Sequence, residues 1–123
     1  MLVTMEELEI KNNERIAKEI WSGSLQRSRR FFGWLPDLNS IKVITNGTSF
    51  YLGKIKSWVM IQYQRNVNAF MVTFKSDHDG NEIVYYSVSL DKLEPTIDAN
   101  VRYGTIHYDR ICSELGLIPK VAV

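Results

Sequence analysis

The chain has 123 residues, 45% hydrophobic and 24% charged, with a formal net charge of +1. That size and balance describe one folded domain with its own core and exclude a disordered chain. Apolar runs as short as "WVMI" and "AFMV" exclude a membrane-spanning helix, which needs about 20 such residues.

Thr4 followed by Glu7 is a capping-box pattern and predicts a helix starting near Met5. Met5, Leu8, Ile16, Ile20 and Trp21 recur at spacings that suit one buried face, while Asn12-Asn13 interrupts the stripe and is expected to kink or split the helix. Gly23 and its neighbouring serines place the helix end between Trp21 and Arg30. Residues 26–34, "QRSRRFFGW", then lie on the last turns or the exit loop. Gly33 and Pro36 stop any helix, and "LPDLNS" reads as a loop.

From Ile41 the pattern becomes β. "IKVIT", "SFYLGKI", "WVMIQYQ", "AFMVTFK" and "EIVYYSVSL" are rich in β-branched and aromatic residues and are separated by turn-forming segments, as in an antiparallel meander. Asn46-Gly47 is read as a hairpin turn, ahead of its membership in the glycosylation sequon completed by Thr48. In the fourth strand Phe70, Val72 and Phe74 share one face, and Ala69, Met71, Thr73 and Lys75 the other. In the third, Val59, Ile61 and Tyr63 oppose Trp58, Met60, Gln62 and Gln64. If the first set packs inward, an aromatic and two amides face outward.

"LDKLEPTIDA" suits a turn and a short helix equally. Thr105 is expected to cap a helix over "IHYDRICSEL", ended by Gly116 with Pro119 beyond. The expected fold is therefore α+β: an N-terminal helix, a five-stranded antiparallel meander sheet and a short C-terminal helix, in a single domain over residues 1–123, with helices on one sheet face.

The small net charge hides a partition. Residues 1–19 carry five acids and three bases; residues 20–76 carry eight bases against Asp37 alone, a net of +7; residues 77–123 carry eight acids and four bases. A field of one sign steers ligands of the other, unless the segments interleave in space and neutralise one another.

Candidate chemistry is sparse. Cys112 near His107 and Asp109 invites a nucleophile reading, but Cys112 shares an apolar stripe with Ile111 and Leu115, as a core cysteine does. "DHDGNE" has carboxylates, an imidazole and a glycine, but it is too short for a calcium loop and is read as a hairpin turn. His78 and His107 fall in different elements. No zinc-protease, phosphate-loop or nucleophile-elbow motif occurs. The expectation is a protein that is not an enzyme and holds no cofactor or metal. The single cysteine fits a reducing compartment, and "MLVTMEELEI" lacks the basic start of a secretory signal, so a cytoplasmic location is expected.

Arginine forks pair with phosphate and stack on rings or bases, and adjacent aromatics supply stacking platforms, as in single-stranded nucleic-acid grooves. The expected binding surface is Arg27, Arg29, Arg30, Phe31 and Trp34, reinforced by Lys54, Lys56 and Arg65, with Lys42 beside them. Its expected partner is nucleic acid or a nucleic-acid-binding protein. At least two of Phe31, Phe32 and Trp34 are nevertheless expected to be buried, because rings this large dominate small cores. The alternative is a protein-binding inhibitor or adaptor of the compact type carried by phages and other mobile elements, for which the same residue types serve as anchors. An exposed edge strand would also permit a dimer.

Overall fold

Thr4 does start the first helix: its hydroxyl accepts a hydrogen bond from the Glu7 amide at 3.1 Å, satisfying one of the donors that a helix start leaves unpaired. In the computed structural model, which describes residues 4–105 and 107–117, this helix is α1, Met5–Gly23. It runs unbroken through Asn12-Asn13, against the expected kink. Asn13 is instead engaged tertiarily, its Oδ1 accepting from the Asn46 amide at 2.8 Å. Burial begins only at Ile16, Ala17 and Ile20, while Met5 and Leu8, expected on the buried face, are exposed. Two 3₁₀ turns follow, Leu25–Arg27 and Phe31–Trp34.

The sheet contains β1 (Pro36–Ile44), β2 (Gly47–Leu52), β3 (Ser57–Gln64), β4 (Ala69–Ser76) and β5 (Glu82–Val88). The strands are antiparallel neighbours in chain order, the expected meander. β1 corrects one expectation, because part of "LPDLNS" belongs to it. Pro36 is tolerated as the first residue of an edge strand, where its missing N–H costs no ladder bond. The register then breaks between Asp37 and Lys42. Ser40 stitches this bulge, accepting from the Tyr51 amide at 2.8 Å and donating to the Asp37 carbonyl at 2.5 Å. At the β1–β2 hairpin the left-handed residue is Asn46 (φ 59°). Gly47 is needed for a different reason: a Cβ there would sit 1.7 Å from the Ile61 carbonyl oxygen of β3.

The segment left open by sequence is helical. After a 3₁₀ turn, Leu90–Lys92, α2 spans Leu93–Tyr103. The C-terminal helix α3 covers Tyr108–Leu115, so it starts later than a Thr105 cap would place it, and Gly116 ends it in the left-handed conformation. Pro119 lies outside the described residues. Side chains of α1, α2 and α3 share one core with Phe50, Leu52, Val59, Ile61, Phe70, Val72, Phe74 and Tyr85 from one face of the sheet. The opposite face has no helix over it among the described residues. No helix among them is long and apolar enough to cross a membrane.

Candidate functional site

The arginine-aromatic segment is partly consumed by the fold. Phe31 is buried, Trp34 is 1% exposed and Phe32 is 72% exposed, so two of the three rings fill the core, as large aromatics in a small domain do. Phe31 meets Trp21 and Trp34 edge-on at centroid distances of 5.5 and 5.8 Å. The Trp34 indole N–H donates to Asp98 Oδ1 at 3.0 Å, and Arg30 donates to Asp98 Oδ2 at 2.8 Å. Arg102 reaches the same Oδ2 at 2.9 Å, and Glu94 lies 3.9 Å from Arg30. Thus a buried carboxylate on α2 pins the Phe31–Trp34 turn and neutralises Arg30. Here the acidic and basic segments do interleave. Arg27 and Arg29 are exposed on the connection from α1 to β1, and no ion pair among the described residues engages them.

Lys54 stays beside the arginine-aromatic segment, its backbone amide donating to the Trp34 carbonyl at 3.2 Å, but the expected basic residues do not all gather there. Lys54 and Lys56 sit in the β2–β3 turn and Arg65 in the β3–β4 turn, at opposite ends of an eight-residue strand, about 25 Å apart at 3.3 Å per residue. The eight residues named from the sequence therefore do not form one surface.

A different group assembles on the open face. As its alternation predicts, β3 turns Val59 and Ile61 into the core and leaves Trp58, Met60, Gln62 and Gln64 half-buried on the other side. Register then brings distant residues beside Trp58: Tyr51 pairs with it from β2 and Lys75 from β4, with Glu82 beyond Lys75 on β5. In the next row Lys42, Ser49, Met60 and Thr73 align across four strands. The Lys42 ammonium lies 5.4 Å from the Trp58 ring centroid, within cation–π reach. Tyr51 meets Trp58 edge-on at 5.3 Å.

These side chains border an open groove of about 430 Å³, walled by Lys42, Ser49, Trp58, Met60, Lys75, Ser76, Asp77 and Gly80. Lys54 and Lys56 are exposed in the turn adjoining its Tyr51–Trp58 end. Asp37, the β1 partner of Tyr51, is an acid at this end together with Asp77 and Glu82, and Asp77 Oδ2 accepts from the Tyr51 hydroxyl at 3.2 Å. Partial desolvation and then the Asp77 carboxylate raise the Tyr51 phenol above its ordinary pKa.

The other candidates have structural duties. Cys112 is 1% exposed within the core, and burial pushes its thiol pKa up, away from nucleophilic use. Asp79 caps its own turn, accepting from the Asn81 backbone and side-chain amides at 3.0 Å each, with Gly80 at φ 73°. The backbone bond from Asn81 leads the causes that hold its carboxyl below the usual range. No group of three or more potential metal-ligating side chains comes together among the described residues.

Sequence reasoning named Lys54 and Lys56 but missed Lys75, Tyr51 and the centrality of Trp58. The available signal was the β3 alternation that turns Trp58 outward. No family model matches the chain, and no curated protein or solved structure matches it either.

Proposed function

We propose that this protein is a small non-catalytic binding module that engages single-stranded nucleic acid across the open face of its sheet. The observation that carries this reading is the placement of Lys42 and Lys75 beside the paired rings of Tyr51 and Trp58, with Lys54 and Lys56 exposed in the adjoining turn. Rings on an uncovered sheet offer bases a stacking platform, and flanking ammonium groups meet the phosphates. A base stacking on Trp58 takes the place of the Lys42 ammonium over the ring and frees that charge for the neighbouring phosphate. Duplexes are disfavoured because their bases are already stacked and paired.

The test is binding of labelled single- and double-stranded DNA and RNA across a salt series. Four phosphate contacts predict that log affinity for single strands falls with log salt at a slope of about −2.8, at 0.7 per contact. Absence of binding at low salt to every single strand rejects the reading.

A second reading, a protein-binding inhibitor or adaptor, is favoured by a separate observation. Leu35, Leu38, Ile41 and Val43 are all exposed along the edge strand β1 and its approach, and adjacent apolar side chains on an edge are a common protein-docking feature. A partner retained from lysate after nuclease treatment, and lost on Leu38→Lys or Val43→Lys, supports this second reading over the first.

A further inference from the structure

At the end of the sheet remote from the lysine-bearing turn, α1 is tied to the β1–β2 hairpin by the bond from the Asn46 amide to Asn13 Oδ1, 2.8 Å. Beside this tie lies a cavity of about 280 Å³, lined by Asn12, Arg15, Ile16, Asn46, Tyr63 and Arg65. Its two charged lining residues are both arginines, and they come from different elements, α1 and the β3–β4 turn.

The Arg15 guanidinium is held in place from two sides. Nη1–H donates to Glu19 Oε1 at 3.0 Å and Nη2–H to Asn12 Oδ1 at 2.9 Å. A guanidinium has five N–H donors, so three remain for a ligand. Glu19 offsets part of the Arg15 charge, whereas no ion pair among the described residues engages Arg65. The Asn12 oxygen accepts from Arg15, and its amide group carries two N–H donors. The Tyr63 hydroxyl donates to Asn68 Oδ1 at 2.7 Å, so its single proton is committed there and the donors for a ligand come from the arginines and Asn12.

We propose that this cavity binds a phosphate group, clamped between the forks of Arg15 and Arg65. Two guanidiniums and the amide donors of Asn12 lining one cavity match the several acceptor oxygens of a phosphate, and planar forks favour it over a spherical anion. The cavity, about 280 Å³, has room for a phosphate group together with the atoms that carry it. The site shares no lining residue with the open-face groove and stands independently of the reading proposed for that face.

Inorganic phosphate titrated into isotope-labelled protein at constant ionic strength, with chloride as the reference salt, tests the site by amide chemical shifts. The expected result is saturable shifts at Asn46 and Arg65, with affinity about ten-fold or more weaker in Arg65→Gln and in Arg15→Gln, as loss of a charge-assisted bond implies. Arg65→Lys, which keeps the charge but loses the fork, is expected to fall between, and Arg27→Gln to bind like wild type. A 5′-phosphorylated oligonucleotide compared with its 5′-hydroxyl form then distinguishes a nucleic-acid end from a free phosphate as the source. Shifts that rise linearly without saturating, or an unchanged affinity in Arg65→Gln, overturn the proposal.

Discussion

Trp34 and Trp58 stand on opposite sides of one sheet and do opposite things. Trp34 closes a segment with three arginines and looks like the heart of a binding surface, yet it is 1% exposed and its indole N–H is committed to Asp98. Trp58 follows Lys54 and Lys56 in sequence, but strand pairing surrounds it with Tyr51, Lys75 and Lys42 on a face that no described helix covers. A cluster along the chain is a weak guide to a cluster on the surface. Large rings are drawn into the core first, and what remains outside is arranged by register.

The largest effects are expected at the buried ring. Trp34→Ala removes a core ring and is expected to cost about 3–5 kcal/mol, read as a lower urea midpoint at unchanged slope. Asp98→Ala should follow at about 2–4 kcal/mol, because it strands the Trp34 donor and leaves Arg30 and Arg102 without their shared acceptor. Asp98→Asn keeps an acceptor for the indole and should cost less in the same titration. At the exposed end the effects divide differently. Trp58→Ala should change stability by only about 1 kcal/mol, the scale of one edge-on ring contact. Its binding to a single strand should weaken by about 1–3 kcal/mol, the scale of one stacked base. A Trp58→Ala protein that unfolds as readily as Trp34→Ala would erase the distinction between the two rings.

Much of the fold was legible because local chemistry and tertiary structure agree. The Thr4 cap, the five strands, the inward and outward faces of β3 and β4, and the Gly116 stop all rest on residues whose preference matches their place. Where polar residues are buried, periodicity misleads. On α2, Thr96 and Asn100 are polar yet fully buried, so apolar periodicity does not mark its buried face. Thr96 donates to the Lys92 carbonyl, and Asn100 Oδ1 accepts from Tyr85 at 3.0 Å, so both satisfy their polar atoms internally. Met5 and Leu8 mislead in the other direction, since the first turns of α1 carry an apolar stripe that the described core leaves uncovered. Of the site, the outward Trp58 was readable from alternation. The neutralisation of Arg30 was not, because its partner Asp98 is 68 positions away and no local pattern links them.

The most direct test of the open-face account sets two double variants side by side: Lys42→Gln/Lys75→Gln on the open face, and Arg27→Gln/Arg29→Gln on the opposite, helix-bearing side. Each is titrated with a labelled single strand across a salt series. The account predicts that the lysine pair loses affinity and makes the salt slope shallower by about 1.4, two contacts at 0.7 each, while the arginine pair binds like wild type. The reverse result would place the nucleic-acid surface on the α1–β1 connection and contradict the assignment to the sheet.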